Sequence, residues 1–274
     1  MQGASRAALN EAWGEVERQL SSSAKSSETE ATNVADDLFG ALAVLDTQVG
    51  LRRALSDPAV EADRKATLVE AVFGSQIGPI ALGIVVDLVK SRWSRARDLP
   101  DALETLAVLA AMIGGDQTGK SDDVEDELFR FGRIIEARPA LREALSSAAL
   151  PDANKLSVID ALLTGRATPT MIRLASQIAT HPRGRSPEDA LADYGRVAAR
   201  RGERAVARVT TAFPLSAAEI KRLQAALAGM YGHDVHMQIE IDESILGGVV
   251  VQVGDEVLDG SIAGRLADAR RRIE

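Results

Sequence analysis

A mainly α chain with a small α/β tail is what this sequence predicts. The expected architecture is two tandem helical bundles, over residues 1–112 and 113–203, then a strand-helix-strand-strand-helix domain over 204–274. Three observations predict it. Up to about residue 203 the chain is rich in Ala, Leu, Arg and Glu, with apolar residues at helical spacing. Beyond about residue 204 the pattern changes to period two. A repeat then divides the helical part: displaced by ninety positions, Val34 to Gly74 overlays Val124 to Thr164 without a gap.

The helical part is read from its stripes. Leu38, Leu42, Leu45 and Val49 fall on one helical face, and Leu68, Val69 and Val72 give a shorter stripe. In the repeat, VADDLF meets VEDELF, LRRALS meets LREALS, Lys65 meets Lys155 and Ala71 meets Ala161. Two words in register with the same spacing between them predict a duplicated bundle rather than a solenoid, because only two copies of a long period exist. The polar, glycine-rich stretch Gly114 to Ser121 is the expected seam.

In the tail, Val206 to Phe213 is β-branched and alternating. Ser216 to Tyr231 reads as a helix, with Ser216 as N-cap, Glu219 completing a capping box and Leu215 stapled to Ile220. Ile220, Leu223, Leu227 and Met230 mark its expected buried stripe. Val235, Met237, Ile239 and Ile241 alternate with polar residues as a second strand. Val249 to Val253 follows as another. Gly254-Asp255 is a two-residue turn into Glu256-Val257-Leu258. A last helix is expected from Ser261, carrying Ile262, Leu266, Ala269 and Ile273 on one face.

Composition removes several function classes. The net charge is -8 and aromatics are 3%, which disfavours a nucleic-acid binder. There is no cysteine, so disulfides, thiolate metal sites and cysteine nucleophiles are excluded. The longest apolar run, Leu106 to Ile113, falls far short of the roughly 18 to 20 residues that a bilayer requires, so no direct membrane span is expected. The opening MQGASRAALNEAWGEVERQL lacks an apolar core after a basic stretch, and predicts a soluble, unexported chain.

Candidate chemistry is sparse. Gly114-Gly115-Asp116-Gln117-Thr118-Gly119-Lys120-Ser121 fits the phosphate-loop pattern GxxxxGK[ST], which gives an alternative reading as a nucleotide binder. Against it, the preceding Asp101 to Ile113 reads as a helix rather than a strand. Asp122, Asp123, Glu125, Asp126 and Glu127 follow and repel a triphosphate. The plainer reading is a linker with Ser121 as N-cap. His181 stands in an arginine-rich loop. His233 and His236, three apart on a strand, point to opposite faces and do not chelate together. No triad, metal cluster or matched carboxylate pair is evident, so no catalytic, cofactor-binding or metal-binding residue is assigned. Arg183, Arg185, Arg196, Arg200, Arg201, Arg204 and Arg208 form a basic stretch opposite in sign to Asp122–Glu127. The two patches pair either within the protein or with a partner.

The tail's sequence carries a resemblance. Val209-Thr210-Thr211-Ala212 with Pro214-Leu215-Ser216, Ile241-Asp242 leading to Leu246-Gly247-Gly248, and Gly254-Asp255 leading to Asp259-Gly260-Ser261 and Leu266 closely resemble the delta subunit of F-type ATP synthases, the oligomycin-sensitivity-conferring protein family. Gly247, Gly248, Gly254, Asp259, Gly260 and Ser261 are its signature, structural rather than catalytic. Gly247 and Gly248 permit a bend before a strand, and Asp259-Gly260-Ser261 ends one strand and caps the next helix. Leu51 to Lys65, with Asp57-Pro58, is similar to the family's helical domain. Leu141 to Lys155 is similar again, without that proline. The surplus length equals the repeat shift, as in an actinobacterial-like form with the helical domain duplicated. The resemblance implies a non-catalytic stator subunit without cofactor, peripheral on the cytoplasmic face of the cell membrane. Its implied partners are the N-terminal helices of the alpha subunits of the catalytic head and the b subunit of the peripheral stalk.

Overall fold

The computed structural model describes residues 3–21, 28–116, 121–204, 206–231, 236–242, 247–253 and 256–259. The chain is mainly helical with a small mixed sheet near its C-terminus. It divides into two compact units, Met1–Ala198 and Ala199–Glu274, each described here by itself.

The first unit is built of helices α1 (Ala4–Ser21), α2 (Glu28–Thr47), α3 (Val49–Ser56), α4 (Ala62–Phe73), α5 (Pro79–Lys90), α6 (Asp98–Asp116), α7 (Ser121–Glu136), α8 (Pro139–Ser146), α9 (Asp152–Leu163) and α10 (Pro169–Thr180). Helix α11 (Pro187–Arg204) contains the division between the units. Proline opens α5, α8 and α10, where its missing N–H costs nothing and its fixed φ suits the first turn. From Leu106 to Ile113 helix α6 is apolar on every face, so this stretch becomes the centre. Ala102, Leu103 and Leu106 through Ile113 are all buried. Helix α2 packs extensively on α6, and the buried small side chains Ala31, Ala35 and Ala41 of α2 suit a close approach. One continuous apolar cluster runs from Ala8 to Tyr194.

The helix boundaries repeat as the sequence does. Val49–Ser56 and Pro139–Ser146, Ala62–Phe73 and Asp152–Leu163, and Pro79–Lys90 and Pro169–Thr180 are all displaced by ninety positions. Lys65 and Lys155 are both buried. Lys155 donates to the carbonyl of Ala179 at 3.1 Å.

Several local expectations need correction. Leu38, Leu42 and Leu45 are buried, but Val49 is 44% exposed because a new helix, α3, starts with it. On α4 the buried apolar residues are Ala66, Val69 and Phe73, and Leu68 is 36% exposed. Helix α7 is described from Ser121 onward, next to residues 117–120, which lie outside the described residues.

In the second unit, β1 (Val206–Thr211) leads into α12 (Ala217–Tyr231), then β2 (His236–Ile241), β3 (Val249–Val253) and β4 (Glu256–Asp259). The sheet order is β2-β1-β3-β4. β1 and β2 are parallel, joined across α12, while β3 pairs antiparallel with both β1 and β4. Three strands, not two, therefore follow α12. Ala207, Val209, Val251 and Val253 pack with Leu227 of α12, with Leu215, Leu223 and Met237 at the margin. Met230 is 52% exposed, so the buried stripe of α12 ends at Leu227. The capping box is present: Glu219 accepts from the Ser216 amide at 2.8 Å, and Ser216 Oγ accepts from the Glu219 amide at 3.4 Å. Val253 pairs with Glu256, which leaves two residues to connect β3 and β4. Gly254 and Asp255 themselves, like Gly260, Ser261 and the expected last helix, lie outside the described residues.

Candidate functional site

The best-defined polar construction in the molecule is a charged seam between the two helical copies. It is built on Arg183, in the connection between α10 and α11. Arg183 adopts a left-handed backbone conformation (φ 53°), followed by Gly184 at φ 73°. For a non-glycine residue that costs about 1–2 kcal/mol, so the surroundings must hold it. They do so through the side chain, which is 6% exposed. Nε donates to Asp46 of α2 at 2.6 Å, Nη2 donates to Asp101 of α6 at 2.9 Å, and Nη1 donates to Glu104 of α6. Arg185 donates to Glu104 and, at 2.7 Å, to Asp193. Tyr194 of α11 completes the seam by donating to Glu104 at 3.0 Å.

The electrostatics follow from burial and partners. Burial alone lowers the pKa of Arg183, but Glu104, Asp46 and Asp101 together raise it further. Burial pushes the Asp101 carboxyl up, against the opposing pull of Arg183. Burial also pushes the Tyr194 phenol well above its ordinary value, and the charge of Glu104 adds to that. A planar guanidinium that stays charged and spans three carboxylates is suited to holding elements in fixed register.

A second construction recurs in each copy. Asp37 of α2 accepts from the Gly78 amide at 2.8 Å, at the start of α5. Ninety positions on, Glu127 of α7 accepts from the Thr168 amide at 2.9 Å and from Thr168 Oγ1 at 2.7 Å, at the start of α10. Each carboxylate satisfies orphan donors of a helix N-terminus one helix pair away.

The structure places the sequence candidates as follows. Gly114 and Gly115 lie within the last turn of α6, so the phosphate-loop pattern begins inside a helix and follows no strand. Residues 117–120 of that pattern are outside the described residues. The basic and acidic patches each have partners elsewhere in the helical unit. Arg183 and Arg185 meet α2, α6 and α11, Asp126 meets Arg130, and Glu127 caps α10. His181 is exposed, with Nδ1 2.8 Å from Thr180 Oγ1. His236 opens β2, and His233 lies outside the described residues. Among the described residues no group of three or more His, Cys, Asp or Glu is arranged to hold a metal ion, and no helix is long and apolar enough to cross a membrane. In the tail, Gly247 and Gly248 take φ 115° and 90°, a bend that leads into β3 and that side-chain-bearing residues rarely adopt. Asp259 ends β4.

Sequence reasoning missed Asp46, Asp101 and Glu104. The available signal was Glu104 itself, a carboxylate set immediately before the long apolar run of α6, which needs a partner when buried.

Comparison with known proteins places these features in a family. The family model described as ATP synthase delta (OSCP) subunit matches residues 110–273. ATP synthase subunit delta of Acidothermus cellulolyticus is 50% identical over 100% of this chain and 99% of its own length. The chain belongs to the ATP synthase delta (OSCP) subunit family. ATP synthase subunit delta of Streptomyces avermitilis is 48% identical over 99% of this chain and 98% of its own, and that of Thermobifida fusca is 42% identical over 100% and 99%. These delta subunits therefore share the full length of the chain, first helical copy included. The family model itself starts within α6 and takes in the second copy and the tail. A chain of the Toxoplasma gondii mitochondrial ATP synthase hexamer matches 61% of this chain and 94% of its own, at 22% identity and a TM-score of 0.31.

Proposed function

We propose that this protein is a peripheral-stalk subunit of an F-type ATP synthase. It links the catalytic head to the membrane-anchored b subunit, so that proton translocation is coupled to ATP synthesis. The observation that carries the reading is the match to delta subunits over the whole chain. In this reading the chain makes and breaks no bonds. It sits peripherally at the cytoplasmic face of the cell membrane as part of the complex. Its helical part, with copies over 1–112 and 113–203, meets the N-terminal helices of the alpha subunits, and the domain 204–274 meets the b subunit.

The physical features support a mechanical role. A stator must resist the torque that the central shaft exerts on the head, so its helices must not slide past one another. The close α2–α6 packing and the Arg183 seam give the helical unit that resistance. The signature residues Gly247, Gly248, Gly254, Asp259, Gly260 and Ser261 shape the tail rather than react.

Affinity capture with the full chain and with a chain ending before residue 204 tests the reading. The full chain is expected to retain both alpha and b subunits, and the shortened one to retain alpha and lose b. Retention of neither subunit by the full chain refutes the proposal.

A further inference from the structure

The connection between α5 and α6 gathers cations at one end of the first copy. Lys90, Arg92, Arg95 and Arg97 are all exposed there, and so is Arg6 on the first turn of α1. The connection is pinned in place. Trp93 is buried, and its Nε1 donates to the Leu88 carbonyl at 2.7 Å. The Ser94 amide donates to Ser5 Oγ at 2.7 Å, and that hydroxyl donates to Asp98 at 2.7 Å. Ser5 thereby brings Arg6 to the connection, while the Asp98 carboxylate is buried against Ser5.

These charges are left largely unmatched. Arg6, Lys90, Arg92 and Arg95 enter no ion pair among the described residues, and Arg97 acts on Asp101 only through its field. Asp87, exposed one turn before Lys90, offsets only part of the positive charge, in a chain whose net charge is -8.

The repeat shows what such a connection binds. Displaced by ninety positions, Arg95 becomes Arg185 and Trp93 becomes Arg183, in the connection between α10 and α11. There the arginines are met by carboxylates of neighbouring helices, Asp46, Glu104 and Asp193 among them. The counterparts of Glu104 and Asp193 in the first copy are Gly14 and Leu103, which offer no carboxylate. The same connection is complete in the second copy and lacks its anions in the first.

The chemistry selects the partner. Guanidinium groups held at fixed places match carboxylates in a bidentate fork. A nucleic acid calls for stacking aromatics beside the cations, and a membrane surface for exposed apolar side chains that insert. Trp93 is buried, and no large apolar side chain of the connection is exposed.

We propose that this basic end docks a carboxylate-rich segment of the catalytic head, a contact separate from the seating of the alpha-subunit N-terminal helices. This rests on the stator reading, which supplies the head. Exposed charges act mainly on encounter, so the contact speeds association and orients the head on arrival.

The test follows binding of the full chain to the isolated head by surface plasmon resonance at several salt concentrations. The triple variant Arg92→Gln, Arg95→Gln, Arg97→Gln is compared with a charge-matched control, Arg64→Gln, Arg130→Gln, Arg133→Gln, whose exposed arginines lie on α4 and α7. Circular dichroism establishes that both keep the helical fold. At low salt the first variant is expected to associate about tenfold more slowly than the wild type, with the difference vanishing at high salt and the dissociation rate little changed. The control is expected to associate as the wild type does, and a synthetic peptide of the alpha-subunit N-terminal helix to bind all three chains equally. Equal rates for the variant and the wild type at low salt, equal slowing by the control, or loss of peptide binding in the variant overturns the inference and leaves the stator reading standing. Arginine-dependent self-association, or arginine-dependent binding to phosphatidylglycerol vesicles in place of the head, overturns it in favour of a second copy or a membrane surface. Failure of the wild-type chain to bind the head overturns both.

Discussion

Tyr194 donates a 3.0 Å hydrogen bond to Glu104, and the two residues, ninety positions apart, hold the same place in the two copies of the repeat. The ninety-position displacement thus superposes a buried donor on its own acceptor. The copies are therefore joined by chemistry that neither could satisfy alone.

Replacing Tyr194 with Phe leaves Glu104 with one donor fewer. The expected loss is about 1–3 kcal/mol in denaturant unfolding. The alkaline side carries a second signature. The folded pKa of Tyr194 is raised above its unfolded value, mainly by burial and then by Glu104. The unfolded chain therefore releases this proton first, and the contribution of Tyr194 is fully present below about pH 10 and declines as pH rises beyond it. Stability measured across that range should fall less steeply in Tyr194→Phe than in the wild type.

Arg183→Ala should cost more. It strands Asp46, Asp101 and Glu104 around the space that the guanidinium filled, and removing one partner of a buried ionic group costs about 3–5 kcal/mol. Hydrogen exchange should show α2, α6 and α11 losing protection together, since the seam spans all three. Protection lost only in the α10–α11 connection would reduce the seam to local loop packing.

Gly115 of α6 lies close against the start of α10. A Cβ there stands 2.6 Å from Thr170 Oγ1. Gly115→Ala is expected to destabilise by about 1–3 kcal/mol through overpacking. Adding Thr170→Ala should recover most of that, a coupling that a double-mutant cycle measures.

In the tail, Ser216→Ala should lower protection of α12 while leaving α6 unchanged. The Ser216 hydroxyl, and then its amide, hold the Glu219 carboxyl below the usual carboxylate range. The folded pKa is depressed, so this contribution is present above the unfolded value of about 4.3 and is lost as pH falls through the folded one. Exchange of α12 measured along an acid series should show that loss in the wild type and little of it in Ser216→Ala.

What was legible in the sequence was local. The words VADDLF and VEDELF announced the repeat, and Ser216 with Glu219 announced a helix start, because capping chemistry acts over three residues. The seam was not legible, because Arg183 meets carboxylates 137, 82 and 79 positions away, at distances no periodicity encodes. Leu68 and Met230 misled for a related reason. Apolar residues at the edge of a stripe are buried only if a neighbouring element arrives to cover them, and for these two none does among the described residues.

The mechanical claim meets its most direct test in membranes of cells from which this chain has been removed. Proton-driven ATP synthesis is expected to be lost while ATP hydrolysis by the released head persists, and both are expected to recouple when the full chain is added back. Normal proton-driven synthesis by membranes lacking the chain, with the head still attached, would contradict the account.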